Sequence, residues 1–355
     1  FIIGSEFRGL TQTRSASTTY PAVTALKTLA ADVKSIFTAA RQDSTEIGYA
    51  ADWSEYNNHQ TGDAAGAVQF NLDPLWADSH IDFIGIDNYM PLADWRDGNT
   101  HLDFDAVNGP VSINDRAYLQ RNIKGGEDYD WFYASQADRD SQTRTPITDA
   151  VIGKPWVWRA KDIWNWWSNA HYDRVSGTES GSPTAWTAQS KPIRFTELGC
   201  PAVDKGANEP NVFVDPKSSE SFFPYYSNGQ RDDLMQRAFL EAHLNYWTVS
   251  ANNPVSTVYD APMVDTDNIN IWCWDARPYP FFPRRADIWG DAANYDLGHW
   301  LNGRLGSVML ADLVAEICGQ SGFTAYDVSG LTGLVTGYAR TSTMSARDEL
   351  TPLMA

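Results

Sequence analysis

Short apolar runs alternate with amphipathic stretches along most of the chain. Residues 1–4 (FIIG) read as a buried strand that ends at Ser5 and Glu6. After a polar loop over 8–20, Pro21 suits the first turn of a helix. Val23, Leu26, Ala30, Val33 and Phe37 recur at helical spacing and carry that helix to about Ala40. A second strand over 46–51 runs into Asp52 and Trp53, and a third over 81–87 ends at Asn88 and Tyr89. A fourth covers 192–199 (PIRFTELG), a helix over 231–249 follows, and a fifth strand covers 269–274 (INIWCW). The strands are continuous apolar runs alternating with helices, which predicts a parallel sheet in an α/β domain.

Between the third and fourth strands the rhythm breaks. Residues 94–149 are polar and weakly periodic, 156–172 return to a helical pattern with five tryptophans, and 177–190 form another loop. We read 94–190 as an insertion, and its tryptophans as core or interface. After about Gly306 the character changes again. The pattern predicts a helix over 308–318, a short strand over 334–338 and a capping box at Ser345 and Asp348. These last residues, about fifty, are too few for a stable independent domain. The expectation is therefore one domain over 1–305 and the beginning of an α+β domain over 306–355 that continues past Ala355.

The chain has 355 residues, 43% apolar, enough for a large core. A formal charge of -18 repels phosphate backbones, so direct nucleic-acid binding is not expected. No apolar run is long enough to span a bilayer, and no leader pattern opens the chain. Cys200, Cys273 and Cys318 form no CxxC pair and read as buried thiols of a reducing compartment. The histidines are scattered singly and form no HExxH-type motif, so no zinc site is expected, and no ligand motif for a cofactor is seen. The 15 Trp, 16 Tyr and 15 Phe serve a core, and flat aromatic faces also suit sugar rings.

The chemistry gathers where the strands end. Those ends carry Glu6, then Asp52 and Trp53, then Asp87 and Tyr89, then Glu197, then Trp272 and Trp274. In a (β/α)₈ barrel these ends form one mouth. Glycoside hydrolysis needs two carboxyl groups flanking the scissile bond, and one of them must hold its proton near neutral pH. Glu6 and Glu197, each ending a buried strand, are the candidate catalytic pair. Tyr89 is placed to orient the nucleophile, and Trp272 or Trp274 to floor a sugar subsite. Asp52, Trp53 and Asp87 complete the candidate substrate-binding set, with an internal structural role as the alternative for the two aspartates.

Four segments carry a resemblance: 1–8 (FIIGSEFR), 49–53 (YAADW), 81–92 (IDFIGIDNYMPL) and 191–199 (KPIRFTELG). They resemble strands four to seven of a retaining glycosidase barrel, most of all β-mannanase-like enzymes. That resemblance implies Glu6 as acid/base, Glu197 as nucleophile, and Trp272 or Trp274 as the aromatic of strand eight. With the tail segment DVSGLTGLVTGYARTSTMSARDELTPL, the whole chain resembles the megatron-type baseplate hub proteins of gene transfer agents and related phages. The chain would then hold the C-terminal half of a TIM barrel, strands 4–8, and the start of a tail-hub domain. Strands 1–3 would lie upstream or in another chain, since half a barrel leaves open edges. One departure is Ser5, where many retaining glycosidases carry an Asn that contacts the sugar 2-hydroxyl.

The resemblance implies a particle component made in the bacterial cytoplasm and placed in the tail baseplate. Its partners would be other tail proteins, copies of itself and cell-envelope glycan. Three readings remain open: a barrel that binds or cleaves envelope glycan, an inactive barrel of purely architectural role, and a free retaining glycosidase. The last does not account for the tail segment.

Overall fold

The computed structural model describes residues 1–302, 307–338, 340 and 342–354. The expected domain boundary at 305/306 lies outside the described residues. Four strands form one parallel sheet: β1 (Ile2–Ser5), β2 (Gly48–Asp52), β3 (Phe83–Asn88) and β4 (Ile193–Leu198). Their spatial order is their chain order, and each neighbouring pair is parallel. A doubly wound sheet would reverse direction at a switch point, whereas sequential order is that of a barrel wall. Among the described residues this sheet stays an open arc.

The expected fifth strand is only partly regular. The backbone beyond β4 takes the next position in the arc: Asp265, Asn270 and Trp272 donate their amides to the carbonyls of Ile193, Phe195 and Leu198. Regular pairing is limited to Trp274–Asp275 beside Leu301–Asn302. A short 3₁₀ turn at Thr266–Asn268 precedes the apolar run, and the peptide between Trp272 and Cys273 is cis.

Helix α1 (Pro21–Ala39) buries Val23, Leu26 and Ala30, the stripe that its sequence spacing marked. Helix α2 (Asp233–Trp247) starts where the Asp232 carboxylate accepts the Met235 amide, so its first turn is capped. It buries Met235, Ala238, Phe239 and Ala242, and Phe195 of β4 packs edge-on to His243 and Trp247.

The insertion is more structured than a decorated loop, but in small pieces. The helical pattern over 156–172 resolves into a 3₁₀ turn, Pro155–Trp158, and one helix, Ile163–Ser168. Asp162 separates them because its side chain caps the second. Trp166 and Trp167 are fully buried while Trp164 faces solvent, so most of this aromatic cluster is core. Cys200 and Cys318 are buried free thiols; Cys273 is only half-buried, a correction to the expectation for it.

Past the undescribed residues, helix α3 (Leu310–Gln320) packs Leu313 and Ile317 with Val308, Leu350 and Leu353 into a small separate cluster. The expected strand over 334–338 shrinks to Leu334–Val335, antiparallel to Val308–Met309. Ser345 caps Ala346–Leu350 through the Asp348 amide, as the capping box predicts. No helix among the described residues is long and apolar enough to cross a membrane.

Candidate active site

The sheet register lines up the carboxylates. Asp52 of β2 is the register partner of Asp87 of β3, and Asp87 is the partner of Glu197 of β4. Adjacent strands lie about 4.8 Å apart, so acidic side chains at one level of a parallel sheet are forced together. Both glutamate-bearing strands carry a register irregularity just before their glutamate. In β4, Ile86 opposes Phe195 but Asp87 opposes Glu197, which leaves Thr196 as the extra residue. In β1, Ile2 opposes Gly48 but Ser5 opposes Ala50. Such bulges re-aim the side chain that follows them. Glu6 then adopts a left-handed backbone, φ 54°, with its amide held by the Ala50 carbonyl at 2.8 Å.

The result is a tight triad of carboxylates. Glu6, Asp87 and Glu197 each offer one oxygen within 4.8 Å of the other two. Asp87 is fully buried and is held by Ser5 Oγ at 3.1 Å and Thr196 Oγ1 at 2.6 Å. The Tyr89 hydroxyl donates to Glu197 Oε2 at 2.5 Å. The Asp52 carboxylate accepts the Ser54 amide at 2.8 Å. All-oxygen sets of this kind also suit hard cations, although three oxygens fall short of the six that such ions take.

The electrostatics follow from crowding. Burial, then Asp87, Asp52 and Glu197, push Glu6 up to about 7. Glu6 is exposed as a residue, and it is the cleft wall around its carboxyl that removes water. Burial, with Asp87 and Asp52, pushes Glu197 up to about 7 as well, against the pull of the Tyr89 hydrogen bond. Burial raises Asp87 and sets the Tyr89 phenol far above its ordinary range. Crowding of this kind disfavours ionisation of both glutamates at once.

The pair opens into a cleft of about 730 Å³. Asp52, Trp53, Tyr89 and Trp272 line it with Glu6 and Glu197. Trp274 is not among the lining residues; it sits in the short strand pair and is largely exposed. Of the two tryptophans left open by the sequence, Trp272 is therefore the one at the cleft. Asp87 lies beneath the wall rather than on it. The sequence reading missed Arg8, Ser54 and a second wall from the loop after β4: Glu209, Asn211, Phe213, Glu220 and Phe222. Nothing in that loop's pattern marks it, beyond its place after the strand that bears Glu197.

A buried layer supports Glu6 from below. Tyr49 accepts the Phe7 amide at 2.7 Å and donates to Glu55 at 2.9 Å. Glu55, fully buried, also accepts from Thr11 Oγ1 at 2.5 Å. The backbone on the far side of Glu6 is thereby tied to β2.

A sequentially ordered parallel arc with acidic residues at the C-terminal ends of its strands defines a TIM-barrel-like α/β domain. The chain belongs to the GTA TIM-barrel-like domain family, whose model matches residues 1–283. No curated protein matches the chain.

Proposed function

We propose that this chain is part of the tail baseplate hub of a phage-like gene-transfer particle, and that its barrel domain is a retaining glycosidase acting on cell-envelope glycan. In this reading its arc is the C-terminal half of the barrel, strands 4–8. The observation that carries the enzymatic part is the close, chemically unequal pair of Glu6 and Glu197. Retaining enzymes hold their carboxyl groups about 5–5.5 Å apart, and inverting ones about 6.5–9.5 Å. Oxygens of this pair within 4.8 Å fit the shorter class.

The neighbours divide the roles. Glu197 has a hydroxyl donor, which favours its ionised form; Glu6 has only influences that favour its protonated form. Glu6 accordingly gives its proton to the glycosidic oxygen as that bond breaks. The Glu197 carboxylate attacks the anomeric carbon and forms a glycosyl ester. Glu6, now ionised, takes a proton from water, the water oxygen attacks the same carbon, and Glu197 leaves as the carboxylate. Trp272 and Trp53 supply faces for sugar rings, and Asp52 a hydrogen-bond acceptor for hydroxyls.

A second reading has one observation in its favour. Ser5 stands where a sugar-contacting Asn is usual, and its hydroxyl is engaged with Asp87. The barrel would then bind glycan, or simply build the baseplate, without cutting. Purified envelope polysaccharide and peptidoglycan fractions incubated with the full chain separate the two. Release of reducing ends that Glu197→Gln abolishes supports the hydrolase, and binding without release supports the architectural reading.

A further inference from the structure

The cleft does not end at the two glutamates. A second cavity of about 330 Å³ shares Arg8, Trp53 and Ser54 with it, so the two adjoin at those residues. Its remaining lining includes Gln12, Asn57 and Gln60, with Asp128, Trp158 and Ala160 as the far wall. The far wall comes entirely from the 94–190 insertion.

That wall is fixed in place. The Tyr56 hydroxyl donates to the Ala160 carbonyl at 2.6 Å, Asn58 Nδ2 to the Val157 carbonyl at 2.8 Å, and Trp166 Nε1 to the Asn57 carbonyl at 3.1 Å. The insertion is thus pinned to the loop after β2, and the groove between them is formed in advance of any ligand. Preformed grooves spare a ligand the entropic cost of ordering their walls.

The lining chemistry is that of sugar recognition. Of four lining side-chain amides, those of Gln12, Asn57 and Gln60 offer donors and acceptors while Asn58 holds the Val157 carbonyl, and two indoles offer apolar faces. Among the described residues nothing hydrogen-bonds the Asp128 carboxyl, whose burial beside Glu127 pushes it up to about 6. A half-buried carboxyl without a donor is a place for a ligand hydroxyl. Glu6, Asp52, Glu197, Glu209 and Glu220 make the adjoining cleft strongly acidic, with Arg8 the one lining cation among the described residues. That field repels uronic acids.

We propose that the insertion extends the cleft into a second binding region for an uncharged polysaccharide, so that a chain of several sugars is gripped past Arg8 and Trp53; this rests on the glycan reading of the cleft. Asn57, Gln12, Gln60 and Asp128 contact the sugars there, and none of them takes part in bond cleavage.

The test is binding by the full chain carrying Glu197→Gln, which prevents turnover. Probes are β-1,4-linked oligosaccharides of mannose, glucose and N-acetylglucosamine, each as disaccharide and hexasaccharide, with a galacturonate hexasaccharide as the charged comparison. Expected is a neutral hexasaccharide that binds about tenfold or more tightly than its disaccharide. Adding Gln12→Ala and Asp128→Ala should remove most of that gain, about threefold to tenfold per lost hydrogen bond, and leave the disaccharide affinity unchanged. Asp128→Asn keeps the shape and an acceptor oxygen and should retain the gain that Asp128→Ala loses, and circular dichroism checks that the variants fold. Equal affinity for both lengths, or a length gain that survives the alanine variants, overturns the proposal and leaves the glycosidase reading standing. Tightest binding of the galacturonate overturns the uncharged class. Binding of no probe at all overturns the groove and the glycan reading together.

Discussion

Tyr89 and Glu197 hang from the ends of adjacent parallel strands, and the Tyr89 hydroxyl donates a 2.5 Å hydrogen bond to Oε2 of Glu197. This contact distinguishes two glutamates that otherwise share the same acidic rim. A donor on Glu197 stabilises its carboxylate, while Glu6 sits among charges that only favour its proton.

Tyr89→Phe removes the donor. Glu197 should then hold its proton to higher pH, because the lost bond was the influence lowering its pKa. The acidic limb of the rate profile is set by ionisation of the nucleophile and should shift upward. The rate near neutral pH should fall about tenfold to a hundredfold, in line with loss of a charge-assisted hydrogen bond. A pH profile of kcat/KM for both proteins checks this; an unmoved acidic limb would count against Tyr89 as a partner of the nucleophile.

The crowded rim also shapes stability. The folded pKa of Glu197 is raised to about 7 from an ordinary 4.5, so the folded state binds more protons than the unfolded state between those values. Stability therefore declines as pH rises from about 4.5 through 7, and the full cost is present above 7. Glu197→Gln abolishes the charge. It should raise Tm by about 1–3 °C at pH 8 and leave it unchanged at pH 4. Thermal scans at the two pH values measure the difference, and a Tm loss at pH 8 would contradict the crowding.

Tyr49 acts on Glu6 at one remove, as a positioning residue. Tyr49→Phe leaves the Phe7 amide without its acceptor and takes from Glu55 one of its donors, Thr11 Oγ1 remaining. An unsatisfied buried group costs about 1–3 kcal/mol, so the variant should unfold at lower denaturant concentration. Misplacement of the proton donor should lower kcat more than it changes KM. A KM change of equal size would point to general loosening of the cleft instead.

Phe195→Ala tests the layer behind the site. The ring is fully buried against His243 and Trp247 of α2. Truncation should destabilise the domain by about 3–5 kcal/mol in urea unfolding. Loss of less than about 1 kcal/mol would mean that α2 is not anchored through β4.

Much of this was legible in the residues themselves. Val23, Leu26 and Ala30 mark the buried face of α1 because helical period and burial coincide there. The apolar runs ending in Asp52, Asp87 and Glu197 locate the strand ends, since parallel strands are buried on both faces. The run over 269–274 misled in part because a buried, irregular segment and a strand have the same apolar content.

The sequence by itself determined the parallel α/β rhythm and the acidic residues at the strand ends, because burial and periodicity are local properties of the chain. Only the tertiary structure decided how those acids meet. The bulges before Glu6 and Glu197 are set by pairing with neighbouring strands, and no residue announces them. Trp272 rather than Trp274 reaches the cleft because of how the backbone beyond β4 runs along the sheet. The walls from 199–231 and from the insertion came from segments whose pattern, weak or helical, says nothing of where they sit; the insertion's position depends on contacts with residues about a hundred places away, as in the bonds of Tyr56 and Asn58. Long-range contacts of this kind have no local signature, and they are what turned a row of acidic strand ends into a cleft.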